Sequence, residues 1–336
     1  MSHILDPLSI HSLRLSNRLV LPPMATAKAS PEGRVTQGLV DWYVQKCQGL
    51  GLVITEHAFV LPEGRAGLGQ LSAAGDENLE GLGRIARAIH DGGSACALQL
   101  SHAGSRTSQA ISGAKPRAPS ALANPYLSSG DLPRELDRMG MALVLDAFTA
   151  GATRAKAAGF DAVELHAAHG YLLDQFLSPL TNRRTDLYGG SLVGRVLFLQ
   201  EIARALRKAL GPGYPIFVRL GAADFVEGGL SIEDGAEAAA LLVEAGADLI
   251  DVSGGFGYAL KAPSGYSGQG FLSPLSRAVK ARVKVPVLLT GGITEAEAAE
   301  ALLVEGAADL IGVGRAIAAD SRWARRALEG QRQRPR

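Results

Sequence analysis

The sequence predicts a (β/α)8 barrel, and three observations carry that prediction. Short, continuous apolar runs recur along the 336 residues, separated by stretches of helical spacing, as in a parallel sheet covered on both faces. A unit also repeats: Val243-Glu-Ala-Gly-Ala-Asp-Leu-Ile-Asp-Val-Ser253 is echoed by Val304-Glu-Gly-Ala-Ala-Asp-Leu-Ile-Gly-Val-Gly314, and more loosely by Lys156-Ala-Ala-Gly-Phe-Asp-Ala-Val-Glu-Leu-His166. In each copy a helix ends near Gly or Ala, an Asp follows and a strand begins; glycine there tolerates the positive φ of a helix stop. Third, the spaced glycines of a dinucleotide-binding turn are missing after the first strand, which disfavours an open doubly wound sheet. Eight such units close naturally into a barrel. The length would also allow two domains, but such barrels run this long as one, so a single domain over 1–336 is expected.

The eight strands are expected at Leu19–Pro22, Leu52–Glu56, Ala95–Leu100, Ala162–His166, Ile216–Leu220, Leu249–Ser253, Val287–Thr290 and Leu310–Val313. Before the first, Leu8–Asn17 alternates apolar and polar and carries a turn at His11-Ser12, which reads as a hairpin closing the bottom of the barrel. Two excursions break the rhythm. The interval from Ser101 to about Arg138 is rich in Ser, Ala, Gly and Pro, and a loop that long in a compact domain is usually functional or disordered. Because it follows a strand, it is expected to cap the active-site mouth over about 104–137. The second, Gly254–Phe271, mixes glycines with Phe256, Tyr258, Tyr266 and Phe271, and Gln331–Arg336 reads as a solvated end.

Functional groups of such a barrel gather at the C-terminal ends of its strands. Those ends supply Pro22-Pro23-Met24-Ala25, Glu56-His57, Gln99 with His102, His166 with His169, Arg219, Ser253-Gly254-Gly255, Gly291-Gly292 and Gly314-Arg315. The last two turns follow the seventh and eighth strands, where backbone N–H groups can approach phosphate oxygens and Arg315 can pair with a dianion. Arg219 has a second reading, an ion pair with Glu164 on the neighbouring strand. Composition excludes other classes. A net charge of +1 gives no nucleic-acid signal, and no apolar run reaches membrane-spanning length. The start lacks the regions of a signal peptide, and Cys47 and Cys96 show no metal spacing, so a cytoplasmic protein is expected. A homo-oligomer is left open.

The densest chemistry lies in Asp161–Tyr171. The apolar run Ala162–Leu165 delivers His166, His169 and Tyr171. In an extended strand the two histidines would face opposite sides; they converge only if the strand stops at about His166 and the chain coils by about one turn. The triple is then two hydrogen-bond donors and a possible proton donor. A bare His-x-x-His could hold a metal, but no third ligand of metal spacing follows. With its continuation, Gln175-Phe-Leu-Ser-Pro-Leu-Thr-Asn-Arg-Arg-Thr-Asp-Leu-Tyr-Gly-Gly-Ser191, the stretch resembles the signature of the old yellow enzyme family of FMN-dependent ene-reductases. The resemblance runs from Pro7 to about Trp323.

That resemblance implies a bound FMN, NADH or NADPH as hydride donor, and an α,β-unsaturated carbonyl compound as substrate. By it, Gln99 would hydrogen-bond the pyrimidine edge of the flavin and Arg219 would sit beside its N1/O2 region. The backbone of Pro22, Pro23, Met24, Ala25 and His57 would flank the ring, and Gly291, Gly292, Gly314 and Arg315 would hold the phosphate. His166 and His169 would donate to the substrate carbonyl, and Tyr171 would supply the proton. The chain departs from the pattern at Ala25, where relatives often carry Thr or Cys against flavin O4, and at Ala27, where some place Tyr as a substrate contact. The departures bear on the flavin potential and the substrate pocket, not on the fold. A form with an iron–sulfur cluster and a further nucleotide-binding region is not expected, since neither the cysteines nor the length is present. Three alternatives stay open: an FMN-dependent dehydrogenase or demethylase, a non-redox phosphate-binding lyase or isomerase using His166 and His169 as acid–base groups, and a flavin-binding protein with no turnover.

Overall fold

The computed structural model describes residues 2–123, 131–256 and 267–333, so Tyr258 and Tyr266 lie outside the described residues. Two short strands, β1 (Leu8–Ile10) and β2 (Leu13–Leu15), pair antiparallel around His11, whose φ of 52° makes the turn. There follow β3 (Leu19–Leu21), α1 (Gln37–Lys46), β4 (Leu52–Ile54), β5 (Ala58–Phe59), α2 (Leu79–Asp91) and β6 (Ala95–Ser101). The excursion after β6 contains α3 (Gln109–Ser112) and a small parallel pair, β7 (Arg117–Ala118) and β8 (Arg134–Glu135). The chain continues through α4 (Arg138–Ala157), β9 (Ala162–Ala167), α5 (Leu172–Leu177), α6 (Leu192–Leu210) and β10 (Ile216–Gly221). It ends with α7 (Ile232–Glu244), β11 (Leu249–Ser253), α8 (Ser273–Arg282), β12 (Val287–Thr290), α9 (Ala296–Val304), β13 (Leu310–Gly312), α10 (Arg315–Ala319) and α11 (Trp323–Arg332).

Eight parallel strands run in the order β4-β3-β13-β12-β11-β10-β9-β6, and β6 pairs back onto β4. The sheet therefore closes, and the fold is a (β/α)8 barrel. All eight expected strands form, with small differences at their ends. β3 stops at Leu21, before two prolines that have no N–H to offer a neighbour. β4 stops at Ile54 because the Glu56 N–H is taken by the Tyr43 hydroxyl at 2.8 Å.

Strand side chains alternate, so every second residue points into the barrel. The lowest interior layer is apolar: Leu52, Ala97, Phe217, Leu249, Leu288 and Leu310 pack with Ile10, Leu13 and Leu15 of the hairpin. The hairpin thus plugs one end. Two residues further along the strands the interior turns polar, with Gln99, Glu164, Arg219 and Asp251 all buried. Two further on come Ser101, His166 and Ser253. Outward residues such as Leu98, Val163, Val218 and Ile250 pack against the helices in the larger core.

The repeated Asp has one job in all three copies. Asp161 accepts from Cys96 N at 2.8 Å and from His90 Nε2 at 2.7 Å. Asp248 accepts from Ile216 N at 2.8 Å, pairs with Arg207, and meets His11 Nε2 at 2.7 Å. Asp309 accepts from Val287 N at 2.9 Å and from Lys280 Nζ at 2.6 Å. Each carboxylate satisfies the first or second N–H of the adjacent strand and ties it to a basic side chain on the helix before that strand. Among the described residues no helix is long and apolar enough to cross a membrane. Asp248→Ala leaves Ile216 N–H without its acceptor and Arg207 without its carboxylate partner. It should lower unfolding free energy by about 2 kcal/mol in urea titrations, the range for a lost charge-assisted bond; a loss within error would show the staple to be dispensable.

Candidate functional site

β9 runs through His166 to Ala167, one residue beyond its expected end, so the two histidines do not converge by a helical turn. The chain instead reverses at His169 (φ 59°) and Gly170 (φ 74°). Left-handed backbone is strained for a residue with a Cβ, and it persists only where the surroundings hold it. Here they do. His169 N donates to Gly254 O at 3.2 Å and its Nε2 lies 2.7 Å from Ser253 Oγ. Gly170 N donates to Asp174 Oδ2 at 2.7 Å, and Gln175 Nε2 donates to Gly170 O at 2.6 Å. Asp174 and Gln175 are wholly buried in α5, and Gln175 also reaches back to Ala103 O at 3.1 Å.

The result is one cluster. The His166 and His169 rings are 5.1 Å apart and nearly perpendicular, and the Tyr171 ring is 4.6 Å from that of His166. Burial above all, then neighbouring rings and the charges of Arg219 and Arg106, holds both imidazoles well below the ordinary histidine range. They are therefore neutral hydrogen-bonding groups near neutral pH. Burial raises the Tyr171 phenol, and Arg106 partly offsets it.

Two side chains in this cluster escaped the sequence reading. Arg106 lies over the Tyr171 ring at 5.2 Å and donates to His169 O. His57 was expected to contribute backbone, yet its ring sits 5.2 Å from Tyr171 and 5.8 Å from His166. Arg106 falls in an irregular loop whose course no periodicity reveals. His57 follows a strand end, which was a sufficient signal for the side chain as well. His102 is a core residue: its Nδ1 accepts from Gly104 N at 3.0 Å, and Gly64 packs so tightly on its ring that a Cβ would come within 2.4 Å.

Below the cluster lies the polar layer. Gln99 Nε2 donates to Glu164 Oε1 at 2.8 Å. The ion pair anticipated between Arg219 and Glu164 forms instead with Asp251, whose Oδ2 is 3.3 Å from Arg219 Nε. Register decides this, since Arg219 stands opposite Asp251 on β11, while Glu164 faces Phe217 on β10. Burial, partly offset by Arg219, lifts the Asp251 carboxyl to about 6. At the first strand end Pro22 is buried, with Pro23 and Met24 half-buried above it and Ala25 exposed. The Thr26 hydroxyl donates to Glu56, so neither Ala25 nor Thr26 presents a free hydroxyl proton to the mouth.

At the far side, Gly292 has φ 65°, and a Cβ there would lie 2.5 Å from Gly268 O. Gly291 precedes it and packs against Phe271 and Leu272, while a Cβ on Gly314 would meet Met24 Sδ at 3.3 Å, so Gly314 leaves backbone room beside the Pro22–Met24 segment. Arg315 is exposed. A buried amide, a buried guanidinium, a glycine-lined cleft and a terminal arginine fit the uracil-like edge, ring and phosphate of FMN.

The model of the NADH:flavin oxidoreductase / NADH oxidase family matches residues 3–334. The structure of the old yellow enzyme homologue from Zymomonas mobilis superposes with a TM-score of 0.85 at 28% identity, covering 98% of this chain and 93% of that one. The chain belongs to the old yellow enzyme family. The family is FMN-dependent and uses NAD(P)H, which sets aside a non-redox phosphate barrel. This old yellow enzyme chain is 41% identical over 328 residues to an NADH oxidase of Thermoanaerobacter brockii, covering 96% of this chain and 50% of that protein. It is 35% identical over 322 residues to an NADPH dehydrogenase of Geobacillus thermodenitrificans, covering 95% and 92%. It thus spans half the length of the first relative and nearly all of the second.

Most of the old yellow enzyme signature after α5 is scaffold. Asn182 Nδ2 donates to Phe176 O and Tyr188 O, both at 2.7 Å. Buried Arg184 donates to Pro119 O at 3.0 Å and Leu136 O at 2.7 Å and pairs with Asp186, while Arg183 N donates to Ser120 Oγ at 2.9 Å. The stretch bolts the excursion after β6 to the barrel.

Two outcomes follow. Arg315→Ala should weaken FMN retention by roughly tenfold, the loss of one charge-assisted partner, read from fluorescence of released flavin; unchanged retention would place the phosphate elsewhere. Burial pushes the Glu56 carboxyl up to about 7, against the Thr26 hydrogen bond and Lys28. An acid whose folded pKa exceeds its unfolded value gives stability that is present at low pH and lost as pH rises, here between 4.5 and about 7. Glu56→Gln should flatten the fall in unfolding free energy between pH 5 and pH 8, and an unaltered slope would refute the assignment.

Proposed function

We propose that this chain is an ene-reductase that passes hydride from NADH or NADPH, through FMN, to the activated C=C of small α,β-unsaturated carbonyl compounds. The observation that carries this reading is the meeting of two neutral histidines and a phenol in one pocket beside Arg219. FMN, when bound, supplies the hydride carrier between the nicotinamide and the alkene. The protein's own residues do the rest. His166 Nδ1 accepts from Ala168 N at 3.3 Å, which puts the ring proton of the neutral imidazole on Nε2. His169 is fixed by Ser253, and together the pair can hold a carbonyl oxygen and draw electron density from the double bond.

Hydride adds at Cβ as the C=C π bond breaks, and Tyr171 gives its proton to Cα. Arg106, over the Tyr171 ring, favours the phenolate that this transfer leaves, and solvent returns the proton. Arg219, buried beside Asp251, sets a guanidinium beneath the site. Removing one oxyanion donor costs ~10²–10³ in rate, and a positioned general acid contributes ~10²–10⁴, so the histidines and the tyrosine carry comparable shares.

Stopped-flow measurement of the two half-reactions tests this. Tyr171→Phe should leave flavin reduction by NAD(P)H near the parent rate and slow reoxidation by an enone ~10²-fold or more, while reoxidation by oxygen changes little. His166→Ala and His169→Ala should weaken phenol binding, which Tyr171→Phe should spare. Reoxidation of Tyr171→Phe by an enone at the parent rate would show that the proton comes from elsewhere.

A further inference from the structure

We propose that His57 is a third hydrogen-bond donor of the substrate pocket, selecting ligands with a second oxygen beyond the one held by His166 and His169. The proposal rests on the ene-reductase reading for the position of the first oxygen. Its basis is a chain of hydrogen bonds that sets a donor amide against the inner nitrogen of the imidazole. Ala66 N donates to Gln70 Oε1 at 2.7 Å, and only the amide oxygen can accept there. Gln70 Nε2 is therefore the donor end, and it lies 3.0 Å from His57 Nδ1, 3.2 Å from His57 O and 3.2 Å from Ser101 Oγ. Ser101 Oγ also lies 3.1 Å from Nδ1, and its hydroxyl can donate to that nitrogen. With an amide hydrogen of Gln70 turned to Nδ1, the ring proton goes to Nε2, and the proposal takes this tautomer.

Nε2 lies on the side of the ring away from Gln70 and Ser101, and the ring borders the reacting groups. The ring is 5.2 Å from Tyr171 and 5.8 Å from His166, and it is half-buried where the residues behind it are fully covered. Among the described residues none accepts from Nε2. Burial, with the charges of Arg106 and Arg219, lowers the ring to about 4, so it remains a neutral donor across the physiological range. A ligand that covers this N–H without accepting from it leaves a buried donor unpaired, which disfavours binding by roughly ten- to a hundred-fold. One that brings an oxygen avoids the loss, and discrimination by a hydrogen-bonding site is strong for that reason. The chemical class is an alkene activated from both ends, such as a 1,4-enedione or a cyclic imide, over a simple enone.

The test uses the FMN-loaded protein and two non-reacting ligands, phenol and 4-hydroxybenzaldehyde, with dissociation constants read from the visible flavin spectrum. His57→Phe keeps a ring and removes the donor; His57→Gln keeps an N–H. The first should weaken 4-hydroxybenzaldehyde roughly tenfold more than phenol, and the second should restore most of the difference. Equal weakening of both ligands, or none, overturns the proposal. If a variant misfolds, ¹⁵N-histidine spectra of the unsubstituted protein decide it: the His57 Nε2 resonance should move with 4-hydroxybenzaldehyde and not with phenol, and identical responses overturn it. Parallel rates with N-methylmaleimide and cyclohexenone keep the two readings apart. If the parent reduces neither, the ene-reductase reading fails, while the ligand pair still decides His57.

Discussion

The hydrogen bond from Gly170 N–H to the Asp174 carboxylate holds the reversal on which the site depends. Without that reversal His166 would leave the strand on one face and His169 with Tyr171 on the other. The bond is made in a wholly buried setting, where an unpaired N–H or a misplaced carboxylate is expensive. Asp174 is itself lifted well above the usual carboxylate range, by burial first and then by Asp224. Asp224 holds the next segment in the same way, accepting from Leu230 N and Phe256 N, each at 2.8 Å. A pair of buried acids thus fixes the turns after β9 and β11, and the imidazoles inherit their positions from those turns.

Within the barrel, charge is stratified. The plugged end is apolar, the middle carries Arg219 with Asp251 and Glu164, and the mouth carries neutral imidazoles. The cations lie close enough to depress the histidines, and the carboxylates share the layer of the Arg219 guanidinium. This ordering presents neutral hydrogen-bond donors at the mouth, above the charged layer. It suits electron-rich oxygens over cationic groups.

The strands were legible because a strand buried on both faces must be apolar throughout, and eight such runs leave few architectures. His166, His169 and Tyr171 were legible because they end one of those runs, and the long motif behind them is specific. The manner of their meeting was not. A helical turn and a left-handed turn both bring residues three apart together, and φ 59°, as at His169, is uncommon for residues other than glycine. The second reading of Arg219, an ion pair with Glu164, gave way to Asp251 for a related reason. Inward alternation puts Glu164 and Asp251 on equal terms, and only the stagger between β10 and its neighbours separates them. Arg106 depends on the path of an irregular loop, which tertiary contacts such as those of Arg184 define.

The aspartate staples also bear on the order in which the chain can assemble. Asp309 reaches back 22 residues to Val287, Asp248 reaches 32 to Ile216, and Asp161 reaches 65 to Cys96. Loop closure grows only logarithmically with length, so the longest of these costs about 1 kcal/mol more than the shortest. The plug is different: Arg18 reaches Asp309 O across 291 positions and His11 reaches Asp248 across 237. Joining those ends first would cost about 2 kcal/mol more than joining β12 to β13. The cheapest route zips the C-terminal strands together and leaves the N-terminal hairpin to cork a cylinder already nearly complete.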